Sequence, residues 1–184
     1  MSEEKVYITA NPTPNPEAMK FIVDRQLVDG DPVSYFSAEA AAGSPLAEKI
    51  FALGSVQQIF AFQNFVTVTK ASDQPWQAFA RAIGQAIREH IQSGATKNFT
   101  PPEGQDVQSG DEKVAVINQV LDEIRPMVAQ DGGNIVFAGY QDGIVSLYMQ
   151  GSCAGCPSST LTLKAGIQRR LQEVLPEVQD VVAV

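Results

Sequence analysis

One stretch near the middle of the chain, GATKNFTPPEGQDVQSG at residues 94–110, limits how the 184 residues can fold. It contains three glycines and two prolines but few large apolar side chains, a composition typical of a linker. Loops of this length without secondary structure are uncommon inside one compact domain. We therefore expect two small domains, residues 1–93 and 111–184, joined by a flexible linker at 94–110.

The composition fits a protein with well-packed hydrophobic cores and argues against nucleic-acid binding. Hydrophobic residues make up 44% of the chain and charged residues 18%, as in ordinary globular domains. The 13 Lys and Arg are outnumbered by 21 Asp and Glu, and neither domain nor the linker has an excess of positive charge. Binding to a phosphate backbone depends on such an excess. We expect no nucleic-acid partner.

The beginning of the chain predicts neither secretion nor membrane insertion. MSEEKVYITA has acidic residues near its start, no apolar run of signal-sequence length and none of the arginine richness of a transit peptide. No segment approaches the roughly 20 apolar residues that cross a bilayer. We expect no membrane partner and a cytoplasmic protein, or the processed form of an organelle-matrix protein, in a reducing compartment where thiols stay free unless a metal or catalysis uses them.

The first half shows strand and helix patterns that predict an α+β domain. KVYITA and MKFIVD read as strands, and VQQIFAFQNFVTVTK reads as a hairpin that turns near Gln63-Asn64. Ser44 and Pro45 suit the N-cap and first residue of a short helix. A longer helix is predicted in PWQAFARAIGQAIREHI, with an apolar stripe formed by Trp76, Phe79, Ile83, Ile87 and Ile91.

The second half predicts the order helix, strand, strand, helix, strand, which is a small α+β domain. Its first helix begins at Asp111 as N-cap, ends before Asp131-Gly132-Gly133, and contains Pro126, which should kink it or end its regular part early. Asp142-Gly143 predicts the turn of a hairpin. The apolar stripes are Val114, Ile117, Leu121, Ile124 and Val128 in the first helix and Leu163, Ile167, Leu171 and Val174 in the second.

Both cysteines of the chain, Cys153 and Cys156, lie between a predicted strand and the helix that follows it. A disulfide would close a very short loop, which contributes only about 2 kcal/mol. A C-x-x-C redox pair also suits a strand–helix junction. However, too little chain follows Cys156 to supply the rest of a thioredoxin-type sheet. The third alternative is a metal site, because C-x-x-C lets two sulfurs point at one centre and the small Ala154 and Gly155 let backbone amides approach the sulfurs.

The number of ligands constrains the metal alternative. Zinc and iron–sulfur clusters usually take four protein ligands, and this chain has two thiols. The single histidine, His90, lies in the other domain, where we expect it at the helix surface and not as a ligand. A closed site would therefore need two chains, each contributing Cys153 and Cys156. Such a site would exist only in a homodimer and would be easily emptied, which suits a carrier better than a structural site.

Longer motifs around these residues resemble those of the NifU-like (Nfu-type) iron–sulfur proteins. In the second half the resemblance rests on Asp131-Gly132-Gly133, on GSCAGCPSS from Gly151 and on the terminal PEVQDVVAV. In the first half it rests on TPNPEAMKF, SPLAEKIF and FVTVTK, which are similar to the N-terminal domain of the same two-domain family. Together these segments cover nearly the whole chain outside the linker.

The resemblance implies a function that spacing alone does not give. It implies that Cys153 and Cys156 of two subunits hold a bridging [4Fe–4S] cluster, which is passed to apo-proteins, so that the protein is a carrier and scaffold and not an enzyme. A [2Fe–2S] form stays open. The implied partners are a second copy of the chain, apo iron–sulfur clients and upstream assembly proteins. The first domain would then interact with clients or regulate transfer.

Three further segments admit more than one interpretation. Asp131-Gly132-Gly133 suits a helix C-cap and turn, or else a contact with the cluster. TPNP at residues 13–16 suits a rigid turn, or else a docking surface for clients. Gly166 lies inside a predicted helix, where glycine costs up to about 1 kcal/mol relative to alanine. Close packing near the cysteine loop would explain why glycine stands there.

Overall fold

The structure is a computed structural model that describes residues 5–71, 73–100, 112–154 and 157–184, with residues 157–159 described by their backbone alone. Within these residues the chain forms four helices and two β-sheets, so the predicted α+β class is confirmed. By its internal contacts the chain divides into two compact units, Met1–Glu103 and Gly104–Val184. None of the helices in the described part is long and apolar enough to span a bilayer.

The first unit contains an antiparallel sheet and two helices. Its elements are β1 (Ile8–Pro12), β2 (Ala18–Val23), β3 (Val33–Tyr35), α1 (Pro45–Phe51), β4 (Val56–Phe62), β5 (Phe65–Lys70) and α2 (Trp76–Gln92). The strands lie in the order β1-β2-β5-β4-β3. The predicted hairpin is confirmed, since β4 and β5 meet at Gln63-Asn64, where Gln63 has a positive φ of 49°. The sequence patterns do not predict β3, because three residues are too few to show a period.

The core of the first unit lies between one face of this sheet and the two helices. Phe21 pairs with Val66, and Val66 with Ala61, so these side chains share a face. The predicted stripe of α2 is confirmed by Phe79, Ile83 and Ile87, which are buried, and by Trp76 and Ile91, which are partly buried against the same cluster.

The turn between β1 and β2 is fixed by its own hydrogen bonds. Thr13 Oγ1 donates to the carbonyl oxygen of Ala18 (2.9 Å), and Asn15 Oδ1 accepts the Glu17 N–H (2.9 Å). Trp76 Nε1 donates to the Pro16 carbonyl oxygen from α2 (2.8 Å). The rigid-turn interpretation of TPNP is therefore confirmed, whereas a docking role for this turn stays a prediction.

The first residues of the predicted linker pack against the first unit. Asn98 Nδ2 donates to the carbonyl oxygen of Leu27 (3.2 Å), and the Phe99 ring stacks on Tyr35 with 6.2 Å between centroids. Asn98 and Phe99 therefore take part in the packing of the first unit, although the polar, aperiodic composition of TKNF indicates a linker. The rest of the predicted linker lies outside the described residues.

Ser44 stands at the N-cap of α1 as predicted, but its hydroxyl makes no capping bond. Ser44 Oγ instead accepts the Thr100 N–H (3.1 Å) and lies 2.8 Å from the Tyr35 hydroxyl. The Tyr35 hydroxyl donates to the Thr100 carbonyl oxygen, so Ser44 must donate to Tyr35. Burial raises the pKa of Tyr35, which keeps this donor protonated. The expected capping bond is thus replaced by a buried network that holds Thr100.

His90 is not at the surface, contrary to the prediction. Only 2% of the residue is exposed, and its Nε2 lies 3.2 Å from the carbonyl oxygen of Lys97. His90 lies in α2 and contacts Lys97, which belongs to the segment predicted to be linker. Burial and the charge of Lys49 lower the pKa of His90, so the neutral imidazole is favoured.

The second unit shows the predicted order of elements. These are α3 (Glu112–Gln130), β6 (Gly133–Gln141), β7 (Ile144–Gly151), α4 (Pro157–Val174) and β8 (Asp180–Ala183). β6 and β7 are antiparallel, and β8 lies parallel to β7 in the order β6-β7-β8. The predicted turn is confirmed, with positive φ at Asp142 and Gly143. Ile117, Leu121 and Val128 of the predicted α3 stripe are buried, as are Ile167 and Leu171 of α4, whereas Val174, also expected to face inward, is 47% exposed.

The end of α3 positions the start of β6. The helix continues four residues past Pro126 to Gln130, so early termination at the proline does not occur. Arg125 Nε then donates to the Ile135 carbonyl oxygen (3.1 Å), which ties α3 to β6. The Gly132 N–H donates to the Ala129 carbonyl oxygen (2.9 Å) at a φ of 78°, which confirms the helix C-cap interpretation. The predicted N-cap, Asp111, lies outside the described residues.

Candidate metal centre

The cysteine loop leaves β7 at Gly151 and leads into α4 at Pro157. Gly151 has a positive φ of 64°, which turns the chain away from the sheet. The Ser152 N–H donates to the Gly132 carbonyl oxygen (3.2 Å), and the Ala154 N–H donates back to that of Gly151 (3.1 Å). These bonds fix the backbone on both sides of Cys153.

Cys153 is a buried thiol at this junction. It is 8% exposed and belongs to the hydrophobic cluster of the second unit, together with Met149 at the end of β7. Thr160, in the first turns of α4, donates from Oγ1 to the Cys153 carbonyl oxygen (3.2 Å). The side chain is thus sheltered, while the main chain around it is held by β7 and α4.

The Cys153 sulfur lies where a side chain of Gly133 would be. A Cβ added to Gly133 would stand 2.5 Å from Cys153 Sγ, 3.0 Å from Ser152 Oγ and 3.1 Å from the Gln150 carbonyl oxygen. The first of these distances is shorter than van der Waals contact permits. A glycine at the first residue of β6 is therefore a condition for this position of the thiol.

A buried amide pair closes the sheet next to the cysteine loop. Gly133 pairs with Gly151 in the register of β6 and β7, and Asn134 pairs with Gln150. Asn134 Nδ2 donates to Gln150 Oε1 over 3.1 Å, and both residues are buried. This bond fixes the relative position of the two strands where they deliver Gly133 and Cys153 to the site.

Of the predicted ligand pair, the structure describes one member. Cys153 lies at the strand–helix junction as expected, whereas Cys156 lies outside the described residues, so the position of one thiol relative to the other stays a prediction. No three His, Cys, Asp or Glu side chains within the described part of the chain are grouped as a metal site. His90 belongs to the first unit and contacts the main chain of Lys97.

The structure gives Gly133 and Gly166 surroundings that differ from those expected from the sequence. The sequence interpretation places Gly133 in a turn together with Gly132. In the structure Gly133 lies in β6, and the absence of a side chain there makes room for the Cys153 sulfur. Gly133 pairs with Gly151, which lies two positions before Cys153. The sequence shows this relation only once the register of β6 and β7 is known. Gly166 has open space at its Cβ position, so the expected close packing around it is wrong.

Two family models match this chain. A NifU-like domain matches residues 117–182, and the N-terminal domain of scaffold protein Nfu/NifU matches residues 8–94. These segments correspond to the unit with the cysteine loop and to the unit with the five-stranded sheet.

Similar proteins carry a scaffold name. The human protein named "NFU1 iron-sulfur cluster scaffold homolog, mitochondrial" is 38% identical over 180 residues, which are 96% of this chain and 71% of the relative. The Drosophila ananassae protein of the same name is 39% identical over 181 residues, which are 96% of this chain and 63% of the relative. The chain thus spans less than two thirds of the length of the fly relative.

Among solved structures, the solution structure of a NifU-like protein from Saccharomyces cerevisiae covers 54% of this chain and 90% of its own, at 18% identity and a TM-score of 0.46. The family assignment rests on the sequence matches. Two domain models agree on it with relatives that match 96% of this chain. The chain belongs to the two-domain NifU-like (Nfu) family of iron–sulfur cluster scaffold proteins.

Proposed function

We propose that this protein holds a [4Fe–4S] cluster between two subunits, through Cys153 and Cys156 of each, and transfers it to apo-proteins. The cluster is cargo, and the protein is a carrier and not a catalyst. The observation that carries this proposal is the Cys153 thiol, held at a strand–helix junction over a glycine and between small residues. Thiolate sulfur is the usual protein ligand of such clusters.

The donor set argues for two chains. The sequence supplies two thiols, and a [4Fe–4S] cluster takes four. His90 cannot complete the set as it is placed, because it lies buried in the first unit against the Lys97 carbonyl oxygen. A homodimer in which each chain contributes Cys153 and Cys156 supplies four thiolates. A [2Fe–2S] cluster would take the same four ligands, so the cluster type is part of the proposal.

Transfer needs only ligand exchange. Each thiol of a client gives up its proton as it binds iron, and each departing cysteine thiolate of the carrier takes up a proton. Iron–sulfur bonds form and break in equal number, and no electrons are consumed. Cys153 is suited to the departing role because the apolar cluster to which it belongs can receive its neutral thiol.

The two units would share this work. The second domain, residues 111–184, would hold the cluster, and the first, residues 1–93, would interact with clients or regulate transfer, with the linker between them. Upstream assembly proteins and apo iron–sulfur clients are the expected partners. We place the protein in the cytoplasm or in an organelle matrix. The organelle matrix is supported by the word mitochondrial in the names of its relatives.

The test is anaerobic reconstitution of the full chain with iron and sulfide, followed by size-exclusion chromatography with metal and sulfide analysis. The proposal predicts a brown dimer with about four iron and four sulfide per two chains, the content of one cluster held by four thiolates. Incubation with an apo-protein that takes a [4Fe–4S] cluster should then move the colour to that protein. A colourless monomer that reduces disulfides would overturn the proposal in favour of redox chemistry.

A further inference from the structure

Two adjacent glycines at the end of α3 are glycines for different reasons. Gly132 has a φ of 78°, a conformation that residues with a Cβ rarely adopt, and it ends the helix. Gly133 has no positive φ and lies in the regular backbone of β6, where any residue could stand. The backbone therefore explains Gly132 and leaves Gly133 unexplained.

The surroundings of Gly133 supply the reason. The nearest atom to its missing Cβ is Cys153 Sγ, at 2.5 Å, which is too close for a carbon and a sulfur to coexist. Two other glycines of the second unit, Gly139 in the same strand and Gly166 in α4, have nothing within 4 Å of that position. Close approach to a functional atom is thus specific to Gly133 among these three.

We propose that Gly133 is a positioning residue for Cys153: its missing side chain makes the space in which the thiol lies, and so shelters this thiol from solvent reagents when no cluster is bound. The inference rests on the proposed function only in treating Cys153 as a cluster ligand. The close approach of the Cys153 sulfur to Gly133 is observed whether or not Cys153 binds a cluster.

An alanine at position 133 would have to displace one of three neighbours. The Gln150 carbonyl oxygen belongs to β7, and moving it would disturb the pairing of Asn134 with Gln150. The Ser152 main chain is bonded to Gly132. Cys153 Sγ is the nearest of the three atoms, and its side chain can turn about a single bond, so it is the group that should yield. We expect it to turn out of the cluster toward solvent.

The first test measures the reactivity of Cys153 in the cluster-free full chain. In a Cys156→Ser background, Cys153 is the single cysteine, and its alkylation by iodoacetamide under native conditions can be followed by mass spectrometry. Cys153 is 8% exposed in the natural chain, and access limits the reaction, so a thiol that turns outward in Gly133→Ala should react about tenfold faster. Gly139→Ala and Gly166→Ala are matched controls and should leave the rate unchanged. An unchanged rate in a folded Gly133→Ala variant would overturn the proposal.

The second test covers the case in which Gly133→Ala unfolds the chain. Replacing Cys153 by alanine removes the atom that meets the new Cβ, so Cys153→Ala should recover most of the melting temperature that Gly133→Ala loses. With Gly139→Ala in place of Gly133→Ala, the same double-mutant cycle should show no recovery. Losses that simply add at positions 133 and 153 would contradict the proposal. Both tests use cluster-free protein, so their failure is distinct from a failure to bind a cluster.

Discussion

The two units bury their reactive groups in different ways. In the first unit, the His90 imidazole lies against the carbonyl oxygen of Lys97, and the Tyr35 hydroxyl lies between Ser44 and Thr100. In the second unit the Cys153 thiol lies in an apolar cluster, over the missing side chain of a glycine. The hydrogen-bond partners of His90 and Tyr35 stabilise the fold of the first unit, whereas the position of the Cys153 thiol depends on the absence of a side chain at Gly133.

The contrast bears on the proposed assignment of the cluster ligands to the second unit. A buried histidine would ordinarily be the first metal ligand to consider in a chain with two cysteines, and here it serves the packing of the segment around residues 97–100. The following predictions test whether the first unit is structural and the second holds the ligands.

Replacing Cys153, one of the two cysteines of the second unit, should remove cluster binding. Cys153→Ser deletes one of the two thiolates of each chain, so a dimer would keep two of four, and iron and sulfide retention after reconstitution should be lost. His90→Gln is the matched variant in the first unit and should retain the full iron and sulfide content. Full cluster content in Cys153→Ser would refute the ligand assignment, and loss of content in His90→Gln would break the contrast between the units.

Removing the Tyr35 hydroxyl should destabilise the first unit. Tyr35→Phe leaves the Ser44 hydroxyl proton without its acceptor and the Thr100 carbonyl oxygen without the Tyr35 donor, which should cost about 1–3 kcal/mol. Urea unfolding followed by the fluorescence of Trp76, the single tryptophan of the chain, reports on this unit. Tyr7→Phe is the matched control, because Tyr7 is 66% exposed. Equal stability of the two variants would mean that the Tyr35 network does not hold residues 97–100.

The stability of the first unit should also fall when the medium is made mildly acidic. Burial and the nearby Lys49 lower the pKa of His90 in the folded chain below its ordinary value of about 6.5, while the Lys97 carbonyl oxygen and Asn98 oppose the shift. The unfolded chain therefore binds a proton that the folded chain resists. The contribution of His90 is complete above the unfolded pKa and is lost as pH falls through that value toward the folded pKa.

The measurement is the urea midpoint from Trp76 fluorescence between pH 7.5 and pH 5, a window above the titration of most carboxyl groups. The midpoint should decrease across this range in the natural chain and change less in His90→Gln. Identical pH profiles would show that the imidazole stays accessible to protons in the folded unit. The cluster content of the protein should follow neither profile, because His90 is not among the proposed ligands.

Much of this arrangement could be predicted from sequence periods, and the remainder could not. Apolar residues spaced three to four positions apart predict the buried stripes of α2 and α3. Apolar residues spaced two positions apart predict the strands, and with them the hairpin turns and the position of Cys153 after a strand. The burial of His90 depends on residues 97–100, whose polar composition indicates a linker. The role of Gly133 depends on strand register, which brings together residues 20 positions apart. Contacts between residues that are distant in the sequence produce no local periodicity of apolar residues, so the sequence pattern does not reveal them.

The smallest expected effect comes from glycines in helix interiors. Gly166 in α4 and Gly84 in α2 both have open space at the Cβ position, so alanine at either should stabilise its unit by up to about 1 kcal/mol through helix propensity. Urea unfolding can be followed by Trp76 fluorescence for Gly84→Ala and by far-ultraviolet circular dichroism for Gly166→Ala. Destabilisation by Gly166→Ala would restore the idea of close packing around that glycine.

The same pair of variants sharpens the contrast once the cluster is bound. An isolated chain has room for a methyl group on the face of α4 that carries Gly166, and α4 begins directly after the cysteine loop. If this face stays open in the loaded dimer, Gly166→Ala should keep the full iron and sulfide content, as Gly84→Ala should. If Gly166→Ala stabilises the cluster-free chain but lowers its cluster content, a second chain must pack against α4 at that glycine. The glycine would then serve the dimer in the way that Gly133 serves the thiol.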